Sequence, residues 1–121
     1  MTYIIAGATG TTGKAIAKEL SQTDTVHLIG RDDLQLKQLS EELNATYSLI
    51  DLDNPVDTKD FQKTVEHEEI KGLINCIGSI HLKPLHGSTI QDFRDVININ
   101  LFSSYYLLSS FARKMPNGSA I

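Results

Sequence analysis

Cysteine is nearly missing from this chain: Cys76 is alone among 121 residues. No internal disulfide can form, which points to a reducing, cytoplasmic setting. Positive charge is scarce too. Eleven Lys and Arg against fifteen Asp and Glu leave a net charge of −4, with no basic run. Proteins that hold nucleic acid by neutralising phosphates carry a basic face, so that class is excluded. Long apolar runs are absent, and nothing reaches the length needed to span a bilayer. The opening apolar run, residues 3–6, is too short for an export core and ends in glycine. The four histidines, His27, His67, His81 and His86, show no metal-like spacing with carboxylates or with Cys76, so no metal site is expected. Repeats, low-complexity tracts and linkers are lacking as well. Residues 1–121 therefore read as one domain with an ordinary apolar content of 40%.

What is present is alternation. Short apolar runs at residues 3–6, 26–29, 47–50 and 73–77 read as strands, and residues 119–121 as the start of a fifth. Between them lie helical patterns. Residues 14–21 place Ala15, Ile16 and Leu20 inward. Asp32 or Asp33 can cap a second helix in which Leu36, Leu39 and Leu43 share a face, with Asn44 suited to its C-terminal turn. Phe61 and Val65 mark a short third helix, and residues 91–114 give the longest helical pattern. Continuous apolar strands alternating with helices imply an α/β fold, a doubly wound parallel sheet in three αβα layers. The Rossmann-type strand order 3-2-1-4-5 is expected, with the flavodoxin-like order 2-1-3-4-5 as the alternative.

The long helical pattern is apolar around most of its circumference. Phe93, Val96, Ile97, Leu101, Tyr105 and Leu108 form one stripe, while Ile99, Phe102 and Tyr106 lie away from it. The sheet can cover only one side. A homo-oligomer with Phe102 and Tyr106 near the contact is expected. The alternative is that the loop of residues 79–88 covers the second side. Ser103, Ser104, Ser109 and Ser110 read as small residues permitting close packing. Asn98 and Asn100 are polar groups in apolar surroundings that need partners.

The chemistry gathers at the first turn. The strand of residues 3–6 runs into Gly7, Ala8, Thr9, Gly10, Thr11, Thr12 and Gly13, and then into a helix. A tight turn needs glycine, a diphosphate close to the backbone needs a residue without a side chain, and a helix N-terminus offers N–H groups and a positive dipole end. In that position the pattern points to dinucleotide binding. At the end of the second strand an acid would hydrogen-bond a ribose 2′-hydroxyl, whereas an arginine accommodates a 2′-phosphate. Gly30 stands at the acid's place and Arg31 follows, which favours NADP(H), with NAD(H) as the alternative. Arg31 as a solvated residue neutralised by Asp32 and Asp33 remains open. Asp51, followed by Leu52 and Asp53, can accept from an adenine amino group or serve as a turn aspartate before Pro55.

Together these pieces resemble the short-chain dehydrogenase/reductase family. The glycine motif from Gly7 to Gly13 has the spacing usual for the extended and atypical branches, and the following Lys14, Ala15, Ile16 and Ala17 are common in the single-domain branch. Arg31 falls where many NADP-dependent members carry a basic residue. Asp51 and Leu52 are similar to the family's adenine-ring motif. Asn75, Cys76, Ile77 and Gly78 take the place of Asn-Asn-Ala-Gly, keeping its first and last letters. Ile99, Asn100 and Leu101 resemble a Val-Asn-Leu whose asparagine belongs to the family's catalytic tetrad. The resemblance covers the whole chain.

It implies the NADP(H)-binding portion of an oxidoreductase in which a tyrosine protonates a carbonyl while nicotinamide gives a hydride, a lysine lowers the tyrosine's pKa, and the asparagine backbone holds a relay water. The family's tyrosine stands four residues before its lysine. Here Gly7, Asp51, Ser109 and Ser110 follow Tyr3, Tyr47, Tyr105 and Tyr106 at that spacing. In the family the motif follows the fifth strand, so a chain truncated at the start of that strand, and inactive alone, is expected. The partners implied are nicotinamide dinucleotide, a small carbonyl or alcohol, and a second copy of the chain. The alternative is a non-enzymatic NADP(H)-binding sensor of the atypical branch. His81 and His86 lie in the loop that borders the substrate side in the family. Cys76 reads as a small buried hydrophobe rather than a nucleophile.

Overall fold

The computed structural model describes residues 1–52 and 69–121. Strand β1 (Thr2–Ala6) leads through the glycine turn into α1 (Thr11–Leu20), then β2 (Thr25–Gly30), α2 (Asp33–Leu43) and β3 (Thr46–Leu49). Strand β4 (Ile70–Asn75) is followed by a long loop and by α3 (Ile90–Ile97). A π-helical turn (Asn98–Phe102) joins α3 to α4 (Ser103–Phe111). The third helix expected around Phe61 and Val65, together with Asp53 and His67, lies outside the described residues.

All strand pairs are parallel, in the order β3-β2-β1-β4. β3 pairs with β2 and not with β1, which removes the flavodoxin-like order. The fifth position is occupied by a single parallel bridge from Ala120 to Gly72. There the Leu73 N–H donates to the Ala120 carbonyl at 3.0 Å and the Ala120 N–H to that of Lys71 at 3.1 Å.

Alternation along the strands builds two apolar layers. Ile4, Ala6, Ile29 and Leu73 face Leu107 and Phe111 of α4 on one side. Ile5, Val26 and Leu28 meet Ala17 of α1 and Leu36 and Leu39 of α2 on the other. His27 is buried in β2. Its ring nitrogens lie 2.7 Å from Thr46 Oγ1 and 2.8 Å from Ser48 Oγ, so two hydroxyls of β3 satisfy the ring and tie the edge strand on.

Four sequence expectations shift. Helix α1 begins at Thr11, three residues before the expected start, and Ala15 is exposed. Its inward face is Gly13, Ile16, Ala17 and Leu20, the i, i+3, i+4, i+7 set. Strand β4 begins at Ile70 and ends at Asn75, which leaves Cys76 and Ile77 beyond the sheet. Gly72 disguises its start; it is buried, and a Cβ there would sit 2.6 Å from the Tyr3 ring. The long helical pattern is interrupted by the π turn. On it Ser103, Leu107, Ser110 and Phe111 are buried, while Phe93, Leu101, Tyr105 and Leu108 of the expected stripe are exposed. Phe102 is exposed and Tyr106 is half-buried, so the open side of this helix takes in Leu101, Phe102 and Tyr105. The loop of residues 79–88 is exposed throughout and leaves that stripe uncovered.

Candidate functional site

The strand order places β2 and β4 on opposite sides of β1, so the chain reverses direction across the sheet between β1 and β4. Ligands of open α/β sheets gather outside the carboxyl ends of the strands at such a point. A cavity of about 700 Å³ lies there, within the range of roughly 300–1,000 Å³ usual for small-molecule and cofactor sites.

Its floor is the glycine turn. Gly7 has φ +74°, and a Cβ there would meet the backbone of Cys76 and Ile77 at 2.9–3.0 Å. Gly13 is buried one turn into α1, where a Cβ would lie 2.1 Å from the Gly7 carbonyl oxygen. Gly10 is different. A Cβ on it would meet only the Gly7 carbonyl oxygen, at 3.4 Å, so the protein's own packing leaves room for a side chain. Gly10 lines the cavity and is the N-cap of α1, which has no side-chain cap and no acid in its first turn.

The other helix starts differ. α2 is capped by Asp32, whose carboxylate accepts from the Gln35 backbone at 3.0 Å and side chain at 2.9 Å. α3 carries a reciprocal capping box between Thr89 and Asp92. The first N–H groups of a helix have no partner within it. In α1 they stand behind a bare glycine at the mouth of the cavity.

One end of the cavity is formed by Arg31, Asp51 and Leu52, the other by Cys76, Ile77, Gly78, Ser79 and Ile99. Arg31 is exposed at the carboxyl end of β2; Asp32 beside it serves the cap of α2, and Asp33 accepts from the Tyr47 hydroxyl at 3.4 Å. Asp51 is exposed, and Leu52 is buried with the core. Burial pushes the Cys76 thiol above the usual thiol range, which keeps it protonated and poorly nucleophilic at neutral pH.

Of the residues singled out in the sequence, Gly7, Thr9, Gly10, Arg31, Asp51, Leu52 and Gly78 come together on this cavity. Thr11, Thr12 and Gly13 form the first turn of α1 behind it. Asn75 and Asn100 stand outside its lining. Asn75 accepts from the Ile77 N–H at 3.0 Å and donates to Ser104 Oγ at 2.9 Å. The Asn100 side chain accepts from the Ser79 N–H at 3.2 Å and donates to the Ser79 and Val96 carbonyls, each at 2.9 Å.

Ile50, Cys76, Ile77, Ser79 and Ile99 line the cavity without having been singled out as binding residues. All but Ile99 follow a strand's carboxyl end closely, a signal that was available. Ile99 reaches it only through the packing of the π turn. His81 and His86 do not line it; His81 Nε2 and Lys83 Nζ both approach Asp92, at 3.4 and 3.2 Å. Among the described residues no group of three or more His, Cys, Asp or Glu side chains could hold a metal ion, and no helix is long and apolar enough to cross a membrane.

A family profile described as short chain dehydrogenase matches residues 1–120. The chain belongs to the short-chain dehydrogenase family. The 3-oxoacyl-[acyl-carrier-protein] reductase FabG of Buchnera aphidicola is 36% identical in an alignment of 120 positions that covers 93% of this chain and 48% of that protein. A metagenomic short-chain oxidoreductase solved in complex with NADP superposes with a TM-score of 0.84 at 28% identity, over 93% of this chain and 55% of that one. A short-chain type dehydrogenase/reductase of Mycobacterium ulcerans reaches a TM-score of 0.86 at 24% identity, over 94% and 46%, and speaks for the fold alone. The chain spans about half the length of the curated relatives it matches, or less.

Proposed function

We propose that this chain binds a nicotinamide dinucleotide, NADP(H) in preference to NAD(H), as the cofactor-binding portion of an oxidoreductase acting on a small carbonyl or alcohol. The observation that carries the reading is the uncapped start of α1 behind Gly10, at the strand-order reversal. A cradle that a Cβ could enter without harm to the fold, yet which holds none, fits a diphosphate approaching the backbone. Gly7, Thr9, Gly10 and the first-turn N–H groups of Thr11, Thr12 and Gly13 would hold the diphosphate. Arg31 would take the 2′-phosphate and Asp51 the adenine amino group, beside Leu52. Gly78 and its neighbours would border the nicotinamide, with Asn75 and Asn100 bracing them.

When bound, the dinucleotide supplies or accepts a hydride. The residues of this chain orient it and shield one side of it from water. Asn100 is the member of the family's catalytic set that this chain carries, and its backbone carbonyl is the group proposed for a proton relay. None of the four tyrosines precedes a lysine at the family's spacing. The spacing of the glycine motif from Gly7 to Gly13, usual in the extended and atypical branches, supports a second reading, a dinucleotide-binding sensor or regulator without turnover. NADPH fluorescence titration tests the shared part. Saturable binding that is lost in Gly10→Val, with an unchanged circular dichroism spectrum, is expected. Binding that survives Gly10→Val would mean the turn is only structural.

The proposal extends to assembly. Phe93, Leu101, Tyr105 and Leu108 leave an apolar stripe exposed along the helix that bounds the site, and a second copy of the chain is the proposed cover.

A further inference from the structure

The wall formed by residues 77–79 is held by side chains that do not line the cavity. The Cys76 N–H donates to the Ala6 carbonyl at 2.9 Å, which ties the start of the wall to β1. Asn75 then takes the Ile77 N–H, and Asn100 takes both backbone groups of Ser79. Gly78 lies tight against this clamp: a Cβ there would sit 3.0 Å from Asn100 Oδ1, and the amide would have to give by a few tenths of an ångström. The two asparagines come from different elements, the end of β4 and the π turn, and one hydroxyl joins them. Asn75 Nδ2 donates to Ser104 Oγ at 2.9 Å, and Ser104 Oγ donates to the Asn100 carbonyl at 3.2 Å.

Neighbouring serines do nothing comparable. Ser103 donates to the Ile99 carbonyl and Ser109 to the Tyr106 carbonyl, both within their own helical stretch. Ser104 alone among these three reaches the sheet.

We infer that Ser104 is a positioning residue for the nicotinamide end of the cavity, coupling Asn75 to Asn100 and thereby fixing the wall of residues 77–79. The inference rests on the dinucleotide reading above. With adenosine at Arg31 and Asp51 and diphosphate at Gly10, the wall is left for the nicotinamide half. Without the Ser104 hydroxyl the Asn75 amide loses its acceptor and its fixed rotamer, and the Asn100 carbonyl loses a donor. Both ends of the clamp loosen together, while Arg31, Asp51 and the glycine turn are untouched.

The test is a pair of titrations of the full 121-residue chain, with NADPH and with 2′-phospho-ADP-ribose, which lacks the nicotinamide half. Ser104→Ala is expected to weaken NADPH about three- to tenfold, the size of one or two net hydrogen bonds, and to leave 2′-phospho-ADP-ribose unchanged. Ser104→Thr, which keeps the hydroxyl, is expected to restore NADPH affinity. Unchanged NADPH affinity in Ser104→Ala would overturn the inference. So would equal losses for both ligands, which mark a general loosening of the fold, or failure of threonine to rescue. A wild-type chain that bound neither ligand would overturn the dinucleotide reading itself, and this inference with it.

Discussion

Three glycines spaced three residues apart answer to different constraints, and substitution separates them. At Gly13 the obstacle is the Gly7 carbonyl, 2.1 Å from any Cβ. Gly13→Ala is expected to destabilise the fold by about 1–3 kcal/mol, the usual cost of overpacking, read as a lower urea midpoint. Gly10 has no such obstacle, so Gly10→Val is expected to leave the midpoint nearly unchanged while dinucleotide binding is lost.

Cofactor preference belongs to this scale too. Arg31→Ala is expected to weaken NADPH about ten- to a hundredfold with little change for NADH, since hydrogen bonds to charged groups are worth about 1.5–3 kcal/mol. A Cβ at Gly30 would make only ordinary contact, 3.4 Å, with the Leu36 side chain. Gly30→Asp is therefore expected to fold, and to shift preference towards NADH by offering a carboxylate to the ribose hydroxyls. Calorimetry with both cofactors checks the two variants; equal losses on Arg31→Ala would remove the assignment.

At the scale of elements, helix starts carry the argument. The Thr89 backbone N–H, donating to the Asp92 carboxylate, holds that carboxyl below its usual range, and Lys83 adds to the effect. A carboxylate whose folded pKa is depressed contributes stability above its unfolded pKa. That contribution is lost as pH falls through the folded value. Asp92→Asn is thus expected to lower the melting temperature at pH 7, and to lower it less at acid pH, where the carboxyl takes up its proton. An equal gap at both pH values would contradict the capping account.

How far the elements were legible follows from the same details. A cap at Asp32 or Asp33, a C-terminal turn at Asn44 and the Leu36–Leu39 face could be read directly, because each rests on neighbours close in sequence, and the structure selects Asp32. The shift of β4 could not, since a glycine near its start hides the strand, and only the structure shows the Tyr3 ring in the space a side chain at Gly72 would need. The π turn was equally hidden. Residues 98–102 keep an unbroken helical pattern, and the insertion becomes visible only once Asn100 is seen turned towards Ser79. So the glycine turn was legible, while of the opposite wall only Gly78 was marked and Ile77 and Ser79 were not: the turn is local, whereas the wall is held by contacts between the end of β4 with the residues after it and a helix about 25 residues later.

For the whole molecule, the exposed stripe on α3 and α4 sets the expectation of self-association. Sedimentation at micromolar concentration is expected to show a dimer or larger assembly. Tyr105→Glu should disrupt it more than Tyr106→Glu, because Tyr105 is 63% exposed and Tyr106 is half-buried. A monomer unaffected by either change would exclude this surface. No NADPH-dependent carbonyl reduction is expected from these 121 residues alone, because a positioned proton donor ordinarily contributes about 10²–10⁴-fold. Robust turnover would require a donor not identified among its residues.

The central claim is that one cavity, bounded by the glycine turn, Arg31, Asp51 and residues 77–79, receives the dinucleotide. Amide chemical shifts of the isotope-labelled chain, followed during addition of NADPH, test it most directly. The expected result is saturable shifts at Gly10, Thr11, Thr12 and Gly13, at Arg31, Asp51 and Leu52, and at Gly78 and Ser79. Amides at the opposite end of the sheet, such as Thr2 and Thr25, should stay still. Shifts confined to the far end, or no shifts at millimolar NADPH, would contradict the account.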